Sequence, residues 1–211
     1  MSKSSKYVPQ IVVRRLPRYY RHISELRDMG VERISSKELA EKMGLTASQI
    51  RQDFNCFGGF GQQGYGYNIE QLHKTIHSIL GLDRGYKTVI IGAGNLGHAI
   101  ANYPGFQRRG FNLVGIFDNS ADVCGTVING LTVKHIDTIE EEFEALKPDI
   151  VILTVKKQSA HDIVERICPL GIKGIWNFSH MELKVPDGIK IENVHLSESL
   201  MTLSHAISEI E

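Results

Sequence analysis

Residues 88–97, TVIIGAGNLG, place Gly92, Gly94 and Gly97 directly after an apolar run and directly before a helical pattern. A turn of this composition suits a pyrophosphate. Gly92 allows the tight reversal, Gly94 lets the backbone come close to phosphate, and Gly97 lets the helix pack on the strand; Ala93, Asn95 and Leu96 complete the turn and bring N–H groups to a helix N-terminus. About twenty residues later the strand pattern NLVGIFD ends in Asp118, where a carboxylate can hold both hydroxyls of an adenosine ribose and repel a 2′-phosphate. The spacing predicts NADH or NAD+ as cofactor.

A second chemistry lies upstream in ASQIRQDFNCF. Ala47, Ile50 and Phe54 fall on one helical face, leaving Ser48, Gln52 and Asn55 opposite, flanked by Gln49 and Arg51. Gln and Asn can bond adenine edges, Arg can bond guanine or phosphate, and Ser can reach either, so this face suits double-stranded DNA. The alternative is a polar face that meets only water.

The elements that must hold these groups are readable. Apolar residues at helical spacing from Gln10 to Gly30 give a first helix that Pro17 starts or kinks; Ser35 and Ser36 offer caps for a second, KELAEKM, and Thr46 caps the third after the break at Gly44. Two short helices around a glycine turn form a helix-turn-helix. The following FGGFGQQGYGYNI alternates Phe57, Phe60, Tyr65 and Tyr67 with glycines, which predicts a hairpin, the wing, with its tip at Gln62 and Gln63. A helix over 69–82 closes this part. Its His73 and His77 have metal-pair spacing without a third ligand, and are expected on the exposed face. From Lys87 onward apolar strands alternate with amphipathic helices, the pattern of a doubly wound parallel sheet, and ligand sites at strand C-termini nominate Thr154, Val155, Phe178 and Ser179. The chain closes on LSESLMTLSHAISEI, with Leu196, Leu200, Leu203, Ala206, Ile207 and Ile210 on one face and cap chemistry expected from Ser197 and Ser199. This helix packs either on its own domain or on another subunit.

The predicted fold is therefore α/β: a winged helix-turn-helix domain over 1–84, a Rossmann-type domain over 85–194 and a C-terminal amphipathic helix over 195–211. Charge follows the same division. The chain is neutral, with 24 basic and 24 acidic side chains, but residues 1–84 hold 13 of the basic and 8 of the acidic ones. Lys3, Lys6, Arg14, Arg15, Arg18 and Arg21 precede the first acid, a cationic surface of the kind that gathers near a polyanion. With 42% hydrophobic residues and no spanning-length apolar run or signal-peptide pattern, the chain is expected in the cytoplasm, away from membranes. Three dispersed cysteines, Cys56, Cys124 and Cys168, argue against a disulfide framework or a zinc site.

The ordered set of helix-turn-helix, FG-x-FG-x-x-G-x-GY, GAGNLG, NYPGF, FD at a strand end, GIKGIWNF and a Leu-rich terminal helix resembles the redox-sensing transcriptional repressor Rex family over essentially the whole chain. The resemblance implies a homodimer joined partly by exchange of the C-terminal helix, which binds operator DNA when NADH is scarce and releases it when NADH binds. It implies Gly92 to Gly97 on the pyrophosphate, Asp118 on the ribose, and Tyr103 of NYPGF with Arg21 at an interdomain switch. Five positions depart from the family pattern: Gln52, Gln62 and Gln63 stand where basic residues are common, His195 where an Asp commonly partners the switch, and His180 where Pro is usual. A dehydrogenase is disfavoured, because only 119 residues follow Gly92, too few for a typical substrate domain, and no proton relay stands out. Coenzyme A on the same glycine turn is the other alternative, and Asp118 opposes it.

Overall fold

The computed structural model describes residues 8–58, 61–62 and 65–210. The chain divides into two compact units, residues 1–84 and 85–211.

In the first unit, α1 (Gln10–Val13) leads into α2 (Leu16–Asp28), where Pro17 sits in the first turn and its missing N–H costs no helical bond. Leu16, Tyr19, Ile23 and Leu26 form the buried stripe of α2. Ser35 caps α3 (Ser36–Met43) in a reciprocal box: its hydroxyl accepts from the Glu38 N–H at 3.1 Å, and the Glu38 carboxylate accepts from the Ser35 N–H at 2.8 Å. Ser36, the other candidate cap, is the first helical residue. The helix stops at Gly44, left-handed at φ +63°, and Thr46 caps α4 (Ala47–Asn55) by accepting the Gln49 N–H. Asn68 does the same for α5 (Ile69–Ile79). A small antiparallel sheet joins β1 (Arg33–Ile34), β3 (Gly66–Asn68) and β2 (Gly61–Gln62) in that order. Lys3, Lys6, Phe60 and Gln63 lie outside the described residues, so of the expected hairpin tip only Gln62, the last residue of β2, is described.

His73 corrects an expectation. It is buried, with the Arg27 guanidinium 3.2 Å from both ring nitrogens and the Tyr20 ring at 4.7 Å, because α5 turns its Leu72–Ile76 face onto α2 and His73 borders that stripe. Burial, then the charges of Arg27 and His77, push its pKa below the ordinary imidazole value. A depressed folded pKa means that the stabilisation from neutral His73 is complete above about pH 6.5 and is lost as the pH falls through the folded value. We expect the thermal midpoint to decline between pH 7 and 5.5, and the decline to be shallower in His73→Gln; equal slopes in calorimetric scans of the two proteins would refute this.

In the second unit a seven-stranded sheet runs β10 (Lys190–Asn193), β9 (Gly174–Asn177), β8 (Ile150–Leu153), β4 (Tyr86–Ile91), β5 (Phe111–Asp118), β7 (Leu131–His135), β6 (Val127–Ile128). All pairings are parallel except β6 with β7. The two-residue β6 was not expected from the sequence. Alternating side chains supply two faces. Val89, Ile91, Phe117, Val151 and Leu153 pack under α7 (Ile139–Leu146) and α8 (Lys157–Ile167), while Ile90, Ile116 and Ile152 pack with Ile100 and Ala101 of α6 (Asn95–Ala101). The second face is only partly covered. An open apolar groove of about 760 Å³ lies there, walled by Ile90, Ile152, Trp176, Tyr103, Phe106 and Ile191.

The terminal helix α9 (Leu196–Ser208) lies exposed along its whole length, Leu196, Leu200, Leu203 and Ile207 each at 51–66%. His195 is its N-cap residue and makes no side-chain cap bond. Ser197 and Ser199 are inside the helix, Ser199 donating back to the Leu196 carbonyl, because the first helical residue is Leu196.

Candidate nucleotide and nucleic-acid sites

The glycine turn sits where β4 ends between β5 and β8, the point at which the strand order reverses and open parallel sheets bind ligands. Gly92 has φ +103°, and a Cβ on it would lie 2.8 Å from the Thr154 carbonyl carbon; a Cβ on Gly97 would lie 1.9 Å from the Gly92 oxygen. Both glycines are needed to close the turn against its neighbours. Gly94 differs, since a Cβ there meets nothing within 4 Å. That open space, in front of a helix whose first internal bond is His98 N–H to Gly94 O at 2.8 Å, is a cradle for an anionic group and leaves the Asn95, Leu96 and Gly97 N–H groups ahead of the helical ladder.

Asp118 reaches this turn from the end of β5. Its carboxylate accepts the Ala93 N–H at 2.6 Å and the Ser120 N–H at 2.8 Å, so the acid is held beside the cradle with lone pairs to spare. The residues present therefore fit a dinucleotide: an open phosphate cradle and a fixed carboxylate one strand away. Thr154 buttresses the turn, its hydroxyl donating to Gly92 O at 2.6 Å, and Val155 follows it, half-buried, at the same sheet edge. Ser179 is buried, with both its N–H and hydroxyl donating to the Asn177 side-chain oxygen, and Phe178 belongs to the core of the second face; these two are engaged with the protein itself. An edge-to-face ladder that the sequence did not reveal runs from Tyr103 through Phe106 and Trp176 to Phe178, with centroids 4.9, 5.5 and 4.6 Å apart. We expect Asp118→Asn to weaken NADH roughly 10- to 100-fold, the scale of a lost charged hydrogen bond, and to narrow the preference over NADPH. Titration calorimetry with both would show it.

On α4, Ser48, Arg51, Gln52 and Asn55 are exposed on one side, and Arg51 donates to the Ser36 hydroxyl at 3.1 Å. Gln49 is half-buried, its amide donating to Asp53 at 2.8 Å, so it stands apart from the freely exposed set. Gln62 lies in β2. Asp53 is the residue that pattern reading missed. It is 1% exposed, and although burial raises its pKa, hydrogen bonds from Arg15, Tyr19 and Gln49 outweigh that and hold it below the usual carboxylate range.

Of the switch candidates, Arg21 is exposed on α2 and Tyr103 is 52% exposed after α6. His195 is half-buried, and its ring lies 5.8 Å from that of His180, which takes a left-handed backbone at φ +56°. Among the described residues no group of three or more metal-ligating side chains occurs.

The chain matches two family descriptions, "Putative DNA-binding protein N-terminus" over residues 7–55 and "CoA binding domain" over residues 83–181. It is 56% identical to the redox-sensing transcriptional repressor Rex of Thermoanaerobacter pseudethanolicus, covering 100% of this chain and 94% of that protein. The chain belongs to the Rex family. A Rex of Clostridioides difficile is 50% identical over 97% of this chain and 98% of its own. Among solved structures, the Rex-family repressor RSP in complex with beta-NAD+ and operator DNA superposes with a TM-score of 0.90 at 54% identity, covering 96% of this chain and 94% of that one. The RSP complex with beta-NADH gives 0.88 at 51%, covering 96% and 95%. These Rex likenesses extend across both units, so the winged-helix and Rossmann architectures belong to one protein type. No described helix is long and apolar enough to cross a membrane.

Proposed function

We propose that this chain is a cytoplasmic Rex repressor that binds double-stranded operator DNA as a homodimer and releases it when NADH occupies the glycine turn. The observation that carries the reading is the pairing, in one chain, of an open phosphate cradle flanked by Asp118 with a helix-turn-helix whose second helix, α4, presents Ser48, Arg51, Gln52 and Asn55. The reading assigns no reaction to the chain. A bound nicotinamide supplies only a charge that differs between its two redox states. NADH, being neutral at that ring, enters an apolar interface that cationic NAD+ enters only at a desolvation cost. To carry the equilibrium from 1:99 to 99:1, NADH must favour the DNA-incompetent dimer about 10⁴-fold, about 5.5 kcal/mol.

The domains of this reading are a winged-helix reader over 1–84, a Rossmann unit over 85–194 and a dimerisation helix over 195–211. Two uncovered surfaces support the last. The apolar stripe of α9 is more than half exposed in the single chain, and the sheet groove beside Trp176 and Phe106 lacks the helix that a doubly wound sheet carries there. Exchange of α9 between two copies covers both. Arg21, Tyr103 and His195 are assigned to the switch, Gln62 and Gln63 to phosphate contacts by the wing, and Gln49 with α4 to the groove. Thr154, Val155, Phe178 and Ser179 line or support the nicotinamide end. A family description that names coenzyme A favours a second reading on the same turn, which calorimetry with that ligand separates from NADH binding.

The test is a gel-shift or anisotropy titration of a palindromic operator complex. NADH dissociates it and NAD+ at equal occupancy does not; equal release by both would refute redox sensing.

A further inference from the structure

Asp53 sits at the centre of a charged network beneath the exposed face of α4. Its carboxylate accepts Arg15 Nε and Nη2 at 2.7 Å each, the Tyr19 hydroxyl at 2.8 Å and the Gln49 side-chain nitrogen at 2.8 Å. Arg15 occupies the junction between α1 and α2, Tyr19 is fully buried in α2, and Gln49 is one turn earlier on α4 itself. One carboxylate thus ties α4 to two points of the preceding helices and to its own surface.

Such a group is a poor device for stability, because a buried ion pair is commonly matched or surpassed by apolar side chains of equal volume. What it supplies is direction. The bidentate fork of Arg15 and the hydroxyl of Tyr19 fix the rotation of α4 about its axis in a way that Ile50 and Phe54, held by non-directional packing, do not. A side-chain tip about 8 Å from a helix axis moves roughly 3 Å when the helix rolls by about 20°, enough to break any bond to a base edge. The carboxylate also fixes which end of the Gln49 amide faces inward, since it can only accept.

We propose that Asp53 is the positioning residue of the reading helix, setting which face of α4 meets the bases and so the discrimination between operator and other DNA. The inference rests on α4 being the reader. It separates from a plain stability role through charge. Removing the carboxylate leaves the Arg15 guanidinium, 26% exposed, without its counter-ion, which favours contact with any phosphate backbone. Base recognition and general affinity therefore move in opposite directions.

The experiment measures affinity for operator and for a scrambled duplex of equal length, at one salt concentration, for the full chain and for Asp53→Asn, Arg15→Lys and Tyr19→Phe. The expected result for Asp53→Asn is at least a 10-fold loss on operator with scrambled duplex unchanged or tighter, and an intermediate loss of the ratio in Tyr19→Phe. Equal losses on both duplexes, or an unchanged ratio, would overturn the proposal. Should Asp53→Asn fail to fold, judged by circular dichroism, the Arg15→Lys and Tyr19→Phe ratios decide it. A wild-type chain that does not distinguish the duplexes overturns instead the assignment of α4 as reader.

Discussion

Gly97→Ala eliminates the NADH response, lowering cofactor affinity by more than about 100-fold while leaving a repressor that holds its operator at every NADH level. The added carbon would stand 1.9 Å from the Gly92 carbonyl oxygen and 3.0 Å from the Thr154 hydroxyl. Neither can retreat: Gly92 N–H is bonded to Phe117 O at 2.8 Å, Thr154 N–H to Ile91 O at 2.9 Å, and the Thr154 hydroxyl to Gly92 O at 2.6 Å. With backbone on all sides, α6 must lift from the sheet, an overpacking strain of at least about 1–3 kcal/mol that also misaims its N–H groups. Gly94→Ala is the control. Its Cβ falls in open space at an ordinary φ of −66°, so the apo protein melts as wild type and loses only ligand binding. Titration of NADH fluorescence together with apo melting curves distinguishes the two; an apo midpoint unchanged in Gly97→Ala contradicts the geometry.

The second large effect is on assembly. Replacing Leu200 and Leu203 by Glu is expected to convert the proposed dimer to monomer and to abolish tight operator binding. Each side chain is more than half exposed in the single chain, and full burial of a Leu contributes about 1.5–3 kcal/mol. A two-fold dimer experiences every substitution twice, so even one change removes about 3–6 kcal/mol, a factor of at least roughly 10² in the dimer constant. Two half-sites about 34–36 Å apart then lose their linked readers and the avidity that comes with them. Sedimentation and anisotropy on the same samples check this; a variant that stays dimeric at micromolar concentration overturns the exchange.

Much of this was legible because it rests on local rules. Ser35, Gly44 and Thr46 mark helix ends through side-chain and backbone bonds made within a few residues, and the glycine turn declares itself by steric need at Gly92 and Gly97. What stayed hidden depended on distant partners. Asp53 reads as one more polar residue next to Phe54 until Arg15 and Tyr19, 38 and 34 positions away, fold onto it. His73 borders the stripe of Leu72 and Ile76, and only the approach of α2 decides that it is covered. A two-residue strand such as β6 is too short to show a period. Ser197 and Ser199 have the chemistry of caps, but the start of α9 at Leu196 places them two and four residues beyond the capping position.

The two ends of the large sheet show how the molecule limits its own association. At one side β6, only two residues long and antiparallel, closes off β7; at the other, β10 presents Lys190 and Glu192 on a strand of four residues. Neither border offers a long, flat, uncharged backbone for another strand to extend. Ribbon-like polymerisation is thereby discouraged, and under the proposed helix exchange the surface that remains, a helix and a groove of finite size, is filled by a single reciprocal pairing. Such a chain can be concentrated without seeding fibres.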